Sequence, residues 1–220
     1  MAIVFHERTE EFHLYNREIS YIMKLLPDRS VGQLYYGKRI RDREDYGHML
    51  EYAVRDMAPC PFEGDNTFSR EHVRQEYPVY GTGDMRYPAY RIACGNGSRI
   101  TGFTYTGHRI FAGKKPLEGL PATYVEEDGE ACSLELYLED SLIRVRLVLS
   151  YTIYSDFPII ARNARFECLE GCQGIRLEQA MSLSLDLPAA IRCSIWPVPG
   201  GGSVIPTSIR CTRGYSRFTA

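Results

Sequence analysis

Strict alternation of apolar and polar residues runs through most of this chain, and it is the feature that most limits its fold. Between residues 142 and 154 every odd-numbered side chain is apolar: Ile143, Val145, Leu147, Leu149, Tyr151 and Ile153. Successive side chains of a β-strand point to opposite faces, so such a run covers a core on one face only. Residues 133–140 and 175–187 repeat the pattern, and residues 12–15 and 21–25 give shorter candidates. The pattern predicts an all-β chain.

Turn-forming residues separate the predicted strands. Gly-Asn-Gly-Ser at 95–98 lies between two segments, 90–93 and 99–103, and predicts a β-hairpin. The sixteen tyrosines and nine phenylalanines also favour sheet over helix. Helical periodicity is weak, with one short turn predicted at 70–75. Many short strands joined by frequent turns predict an antiparallel sandwich.

The charge balance and hydropathy exclude several classes of protein. The 26 basic residues against 28 acidic ones give a net charge of -2, whereas binding of nucleic acid through a basic surface needs a positive excess. No segment approaches the roughly 18 consecutive apolar residues of a membrane-spanning helix. Charged residues begin at His6 and Glu7 without a following apolar segment, so no secretory signal is expected and a cytoplasmic location is predicted.

Seven cysteines are scattered along the chain, and Cys168 and Cys172 are the only close pair. A zinc site would need a second such pair or two nearby histidines. We therefore expect no metal and no cofactor, and we favour reduced, incidental thiols over a metal or disulfide role.

Two segments depart from the strand pattern. Residues 53–90 are rich in Pro, Gly, Asp and Arg with little alternation, and a segment of that length is usually functional or an interaction element. After Pro188 the alternation stops, and residues 189–220 contain the single tryptophan, Trp196, and a glycine triplet. From the pattern alone, this tail is predicted to be a disordered terminus beyond a domain of residues 1–188.

A family resemblance covers residues 1 to about 188 in order. Its longest blocks are Gln-Glu-Tyr-Pro-Val-Tyr-Gly-Thr-Gly-Asp-Met-Arg-Tyr-Pro-Ala-Tyr at 75–90 and Leu-Glu-Gly-Leu-Pro-Ala-Thr-Tyr-Val-Glu at 117–126. Shorter ones include Ser-Tyr-Ile-Met at 20–23 and Ala-Arg-Asn-Ala-Arg-Phe at 161–166. Together they resemble the N-terminal domain of bacterial α-galactosidases of glycoside hydrolase family 36.

The resemblance implies a large two-sheet antiparallel sandwich, similar to that of galactose mutarotase. It also implies that a (β/α)8 barrel follows and carries two catalytic aspartates, which hydrolyse terminal α-galactosides such as melibiose and raffinose with retention. We expect this chain to end before that barrel. The α-galactoside substrate, the barrel and the neighbouring subunits of a homo-oligomer, a tetramer in relatives, are then partners only within the full enzyme.

The tail invites a hypothesis about the gene. Family members continue after a motif like Asp186-Leu-Pro188 with a segment resembling Leu-Ser-Gly-Ala-Trp. We considered the codons that can encode residue 192 onward and read them in a frame that starts at the third base of each codon. In that frame, compatible codons can encode Gly-Ala-Trp-Gly-Arg-Glu-Arg. We therefore hypothesise a frameshift near Pro188 that leaves residues 189–220 out of frame, and a gene whose displaced frame lacks Gly-Ala-Trp would contradict it.

The resemblance also selects candidate site residues. In tetrameric relatives a loop of this domain reaches toward a neighbour's active site, and residues 55–65 occupy the matching place. The candidates for a substrate subsite or an interface are Arg55, Asp56, Phe62, Asp65, Tyr77, Asp84 and Arg86, with Glu63 and Arg74 beside them. The alternatives are a solvated loop, and for residues 75–90 a structural interface with the barrel or another subunit.

Other sites and functions have weaker support. The five histidines form no closely spaced pair, and no nucleophile-elbow motif is present. Glu135 and Glu139, on polar strand faces, are expected to be solvated. Besides a catalytically inactive enzyme domain, two functions remain open: a stand-alone carbohydrate-binding sandwich, and a split subunit that assembles with a separately encoded barrel.

Overall fold

The computed structural model describes residues 1–50, 57–81, 83, 86–117, 119, 122–172, 174–181 and 183–184, and the backbone of 192–195 and 207–210. The chain divides into two compact units, Met1–Leu185 and Asp186–Ala220. Helical structure in the described part consists of two short 3-10 helices, Gly47–Met49 and Asp128–Glu130. None of its helices is long and apolar enough to cross a membrane.

The first sheet is an antiparallel meander of four strands in the order β1-β2-β3-β4. The strands are Ala2–His6, Glu11–Tyr15, Ile19–Leu25 and Val31–Lys38. The predicted strands at 12–15 and 21–25 are confirmed as β2 and the larger part of β3. Phe12, Leu14, Tyr21 and Met23 are buried in the main core, as the alternation predicts.

The second sheet is a longer meander in the order β6-β7-β8-β9. Its strands are Thr104–Ala112, Ala131–Asp140, Val145–Tyr154 and Ile160–Cys168. The strand predicted from residue 142 begins only at Val145, because the Asp140 carboxylate accepts the backbone N–H groups of Leu142 and Ile143 and closes a turn. Leu142 is consequently 92% exposed.

The apolar faces of the two sheets form one core. Side chains of the first sheet share it with Leu134 and Leu136 of β7 and Leu147 and Leu149 of β8. Aromatic rings meet between the sheets, with the ring centroids of Phe5 and His108 4.5 Å apart. The predicted two-sheet antiparallel sandwich is therefore confirmed, and burial of these side chains stabilises it.

A two-stranded ribbon joins β5 (Tyr90–Ala93) to β10 (Arg176–Ala180). The predicted hairpin is half right. The turn exists, because Cys94 N–H donates to the Ser98 carbonyl and Ser98 N–H donates to the Asn96 side chain. The prediction of a second strand at 99–103 is wrong. These residues form no strand, and β5 pairs instead with β10, which is distant in the chain.

The solvated carboxylates predicted on the second sheet need a correction. Glu135 is only 3% exposed, because Lys115 lies over the outer face and its Nζ bonds both carboxylate oxygens at 2.8 and 2.9 Å. The Tyr137 hydroxyl donates a third bond at 2.9 Å. Glu139 is partly exposed and pairs with Arg146 at 2.7 Å.

The remaining strands lie near the chain's C-terminal part. The strand predicted over 175–187 ends at Ala180, and residues 185–187 lie outside the described residues. In the second unit, β11 (Arg192–Ile195) pairs antiparallel with β12 (Thr207–Arg210). The sequence pattern did not predict this hairpin in the tail.

Candidate functional site

Residues 74–76 extend the first sheet along its β4 edge. Gln33 N–H donates to the Arg74 carbonyl and Glu76 N–H donates to the Val31 carbonyl, both at 2.9 Å. This pairing carries the start of the 75–90 family motif into the sandwich, so Glu76 is completely buried.

The Glu76 carboxylate gathers groups from both sheets. It accepts the Tyr21 hydroxyl of β3 at 2.5 Å and the Tyr151 hydroxyl of β8 at 2.9 Å. Arg162 of β9 pairs with the same carboxylate at 2.5 Å, and its guanidinium lies 4.8 Å from the centre of the Tyr151 ring. We call these four side chains the Glu76 cluster.

The electrostatics of the Glu76 cluster fix its protonation. Burial and the neighbouring Glu76 carboxylate raise the pKa of Tyr21 well above its usual value. Burial also raises the pKa of Tyr151, against the opposing effect of Arg162. Burial would lower the pKa of Arg162, yet the Glu76 charge raises it further above its ordinary range. Both phenols therefore keep their protons and Arg162 keeps its charge near neutral pH. The Glu76 cluster joins the two sheets.

Tyr77, predicted as a subsite or interface residue, lies against the core. Its ring stacks on Tyr90 with centroids 5.6 Å apart, and its hydroxyl donates to the Met181 carbonyl. Burial raises the pKa of Tyr77 to about 12. The Tyr77 hydroxyl thus uses its hydrogen in a bond to the residue that follows β10.

The other candidates lie on separate parts of the 57–86 segment. Phe62 and Asp65 face each other across a tight turn, where the Asp65 carboxylate accepts the N–H and hydroxyl of Thr67. These hydrogen bonds lower the pKa of Asp65. Arg86 donates to the carbonyls of Arg70 and Glu71.

The remaining residues of the candidate set add little to the geometry. Glu63 is exposed and Arg74 is half-buried. Arg55, Asp56 and Asp84 lie outside the described residues. The subsite role therefore remains a prediction, and Phe62, Glu63 and Asp65 are the described candidates that are exposed to solvent.

Sequence inspection missed a Ser-His-Asp arrangement on the outer face of the first sheet. His13 Nε2 lies 2.9 Å from Ser20 Oγ, and His13 Nδ1 lies 2.6 Å from Asp42. These contacts match the order of a nucleophile, a base and an orienting acid. Ser20 is fully buried and its Oγ accepts the Ile40 N–H, so no substrate carbonyl can reach it. The arrangement instead fastens residues 39–50 to the sheet, together with Tyr46.

Acid is expected to weaken this fastening. Burial lowers the pKa of His13 and of His108 from the ordinary 6.5. Each therefore holds its proton up to a higher pH in the unfolded chain, near 6.5, than in the folded chain, so the unfolded state binds more protons in acid. The free energy of unfolding should be constant above about pH 7.5. Below about pH 6.5 it should fall by at most about 1.4 kcal/mol per pH unit for each histidine.

Urea denaturation at pH 7.5 and 5.5 measures this effect, and the His108→Phe variant isolates His13. Burial would raise the pKa of Asp42, but the hydrogen bond from His13 lowers it below 3.8, outside this window. Equal stability of the variant at both pH values would contradict a neutral, buried His13.

One cavity in the sandwich is too small for a sugar. It has a volume of about 30 Å³ and is lined by Tyr77, Tyr90, Phe103 and neighbours, whereas small-molecule sites typically enclose about 300 Å³ or more. Within the same residues, no group of three His, Cys, Asp or Glu side chains could hold a metal ion.

Comparison with known proteins gives one consistent family. Residues 29–200 match the family described as "Glycosyl hydrolase family 36 N-terminal domain". Alpha-galactosidase AgaA of Geobacillus stearothermophilus is 40% identical over 190 residues, which cover 86% of this chain and 26% of that protein. The crystal structure of GH36 alpha-galactosidase AgaB of Geobacillus stearothermophilus superposes with a TM-score of 0.84 at 38% identity, over 97% of this chain and 29% of that one.

A further structure shows a relative with its ligand. The AgaA A355E D548N protein from Geobacillus stearothermophilus, in complex with raffinose, has a TM-score of 0.80 at 38% identity. The match covers 93% of this chain and 28% of that one. The chain thus spans little more than a quarter of the proteins it resembles.

Proposed function

Because this chain belongs to glycoside hydrolase family 36, where it matches the N-terminal domain, we propose that it is the non-catalytic sandwich domain of an α-galactosidase. The whole enzyme would hydrolyse terminal α-galactosides such as melibiose and raffinose. The observation that carries this proposal is the extent of the match, 97% of this chain against 29% of the AgaB structure.

The chemistry of the described residues supports a non-catalytic role. Retaining hydrolysis needs two carboxylates roughly 5–5.5 Å apart on either side of the scissile bond. Glu76, a fully buried carboxylate that contacts both sheets, is held by two phenols and an arginine and has no access to a sugar. The catalytic pair would lie in the barrel that the family resemblance implies.

The same argument defines the proposed partners. The barrel and neighbouring subunits of a homo-oligomer would contact this domain, and the galactoside would bind only in that assembly. Phe62 and Asp65, with Arg55, Asp56 and Asp84, are proposed as the residues through which the domain approaches a substrate subsite or an interface.

Two assays test the proposed function. The purified chain is expected to show no turnover of a chromogenic α-galactoside, because it would contribute no catalytic carboxylates. A chimera of AgaA whose matching N-terminal residues are replaced by residues 1–184 of this chain is expected to hydrolyse the same substrate and raffinose. Intact AgaA is the positive control.

Three outcomes would contradict the proposal. Turnover by the chain alone would show a catalytic site within it. An inactive chimera that folds would show that the domain does not serve an α-galactosidase barrel. Saturable binding of melibiose by the chain alone, measured by calorimetry, would favour a stand-alone carbohydrate-binding module.

A further inference from the structure

The turn between β9 and β10 holds two cysteines at very short range. Cys168 is the last residue of β9, and its Sγ lies 3.1 Å from that of Cys172. Cys168 is exposed and Cys172 is half-buried, so a small molecule in solution can reach the pair.

Backbone hydrogen bonds hold the two sulfurs toward each other. Cys172 N–H donates to the Leu169 carbonyl at 3.0 Å, and Leu169 N–H donates to the Arg144 carbonyl at 2.9 Å. Gly171, with φ of 86°, allows the sharp reversal between the cysteines. A disulfide has sulfurs about 2.05 Å apart, so side-chain rotation has to close a gap of about 1 Å. The turn is therefore already shaped for the bond.

We propose that Cys168 and Cys172 form a reversible disulfide when the chain meets a low-molecular-weight disulfide such as oxidised glutathione. The Cys168 thiolate attacks one sulfur of the oxidant, whose S–S bond breaks and releases one thiolate. Cys172 then loses its proton to water and attacks the Cys168 sulfur, which expels the second thiolate. The two protein thiols lose two electrons in total, and the oxidant is reduced to two thiols.

The geometry indicates which cysteine attacks the oxidant and which resolves the mixed disulfide. The Cys172 thiol donates its hydrogen to the Cys168 sulfur, while Cys168 itself is exposed to solvent. That hydrogen bond, assisted by burial, raises the pKa of Cys172. The more exposed Cys168 is thus the attacking group, and Cys172 resolves the mixed disulfide.

The disulfide would restrain the turn through which the chain passes from β9 of the second sheet to β10. Gly95 and Gly174 meet there so closely that a Cβ on Gly95 would lie 3.1 Å from the Gly174 carbonyl oxygen. Beyond this point β10 pairs with β5, and Met181 N–H donates to the Ala89 carbonyl. Because a short loop gains less from chain entropy than a long one and strain can offset that gain, covalent analysis is a better test than a shift in Tm.

The experiment exposes the reduced, full chain to oxidised glutathione and follows thiols by alkylation and mass spectrometry. Two of the seven cysteines should become resistant to alkylation, with Cys168 linked to Cys172, and reducing agent should restore both. The Cys172→Ser variant should trap one glutathione on Cys168, whereas Cys168→Ser should react at least tenfold more slowly. Cys94→Ser is the matched control and should behave like the parent chain.

The result can also go against the proposal. It is overturned if the folded chain keeps all of its thiols, if Cys172→Ser captures no glutathione, or if the crosslink joins other cysteines. Far-ultraviolet circular dichroism of each variant shows that the comparison is made between folded chains.

Discussion

The Arg162→Met variant is expected to lose about 3 to 5 kcal/mol of unfolding free energy, the cost of removing the cation from a buried ion pair. Glu76 is fully buried and has its cation 2.5 Å away. In the variant, the Tyr21 and Tyr151 hydroxyls would still donate to this carboxylate, but the opposite charge would be gone. A domain of this kind is stable by about 5 to 15 kcal/mol, so urea denaturation should show a large fall in the midpoint.

Two further variants separate charge pairing from packing. Glu76→Gln combined with Arg162→Met removes both charges, and we expect it to be more stable than Arg162→Met alone, because no buried charge is left. Arg146→Met is the matched control on the neighbouring strand, since Arg146 forms a partly exposed pair with Glu139. Such pairs contribute about 0 to 1 kcal/mol. Equal losses for Arg146→Met and Arg162→Met would contradict the assigned role of the Glu76 cluster.

The strands of the second sheet were predictable because their alternation follows from local geometry. Leu134, Leu136 and Leu138 of β7 all face the core, as a period of two requires. The start of β8 was not predictable in the same way. Ile143 continues the apolar face, but the Asp140 side chain accepts the N–H groups of Leu142 and Ile143 and turns the chain before β8 begins.

Strand partners were less predictable than strands. The turn chemistry at residues 95–98 correctly indicates a reversal, but it says nothing about whether the two arms pair. Arg99 and Ile100 are exposed after the turn, and β5 finds its partner in β10. The pairing of β5 with β10 depends on how the whole sandwich packs. A short stretch of sequence carries no information about that packing.

The Glu76 cluster was missed because its members are far apart in sequence, yet one signal was present. Ile160, Ala164 and Phe166 pack against the core, and Arg162 shares their face of β9. A charged residue that interrupts an apolar face predicts a buried partner of opposite charge. Glu76 and Arg162 also lie inside the segments 75–90 and 161–166 that carry the family resemblance, although a single sequence cannot pair them.

The second large effect on stability is expected at Asn16. It lies in the turn between β2 and β3 and is 2% exposed. Its amide nitrogen donates to the carbonyls of Tyr154 and Phe157, both at 2.8 Å. Its side-chain oxygen accepts the N–H groups of Glu18 and Ile19 at 2.8 and 2.9 Å. One side chain thus joins a turn of the first sheet to the end of β8 in the second.

The Asn16→Asp variant keeps the shape and both accepted hydrogen bonds but loses both donated ones. It also places a carboxylate against two carbonyl oxygens, so we expect a loss of about 3 kcal/mol in the free energy of unfolding. Asn96→Asp is the matched control, because Asn96 is exposed and its side chain accepts the Ser98 N–H. That substitution should change stability by no more than about 0.5 kcal/mol. If urea denaturation gave the same midpoint for both variants, the hydrogen bonds from Asn16 would not be what joins the two sheets at this end.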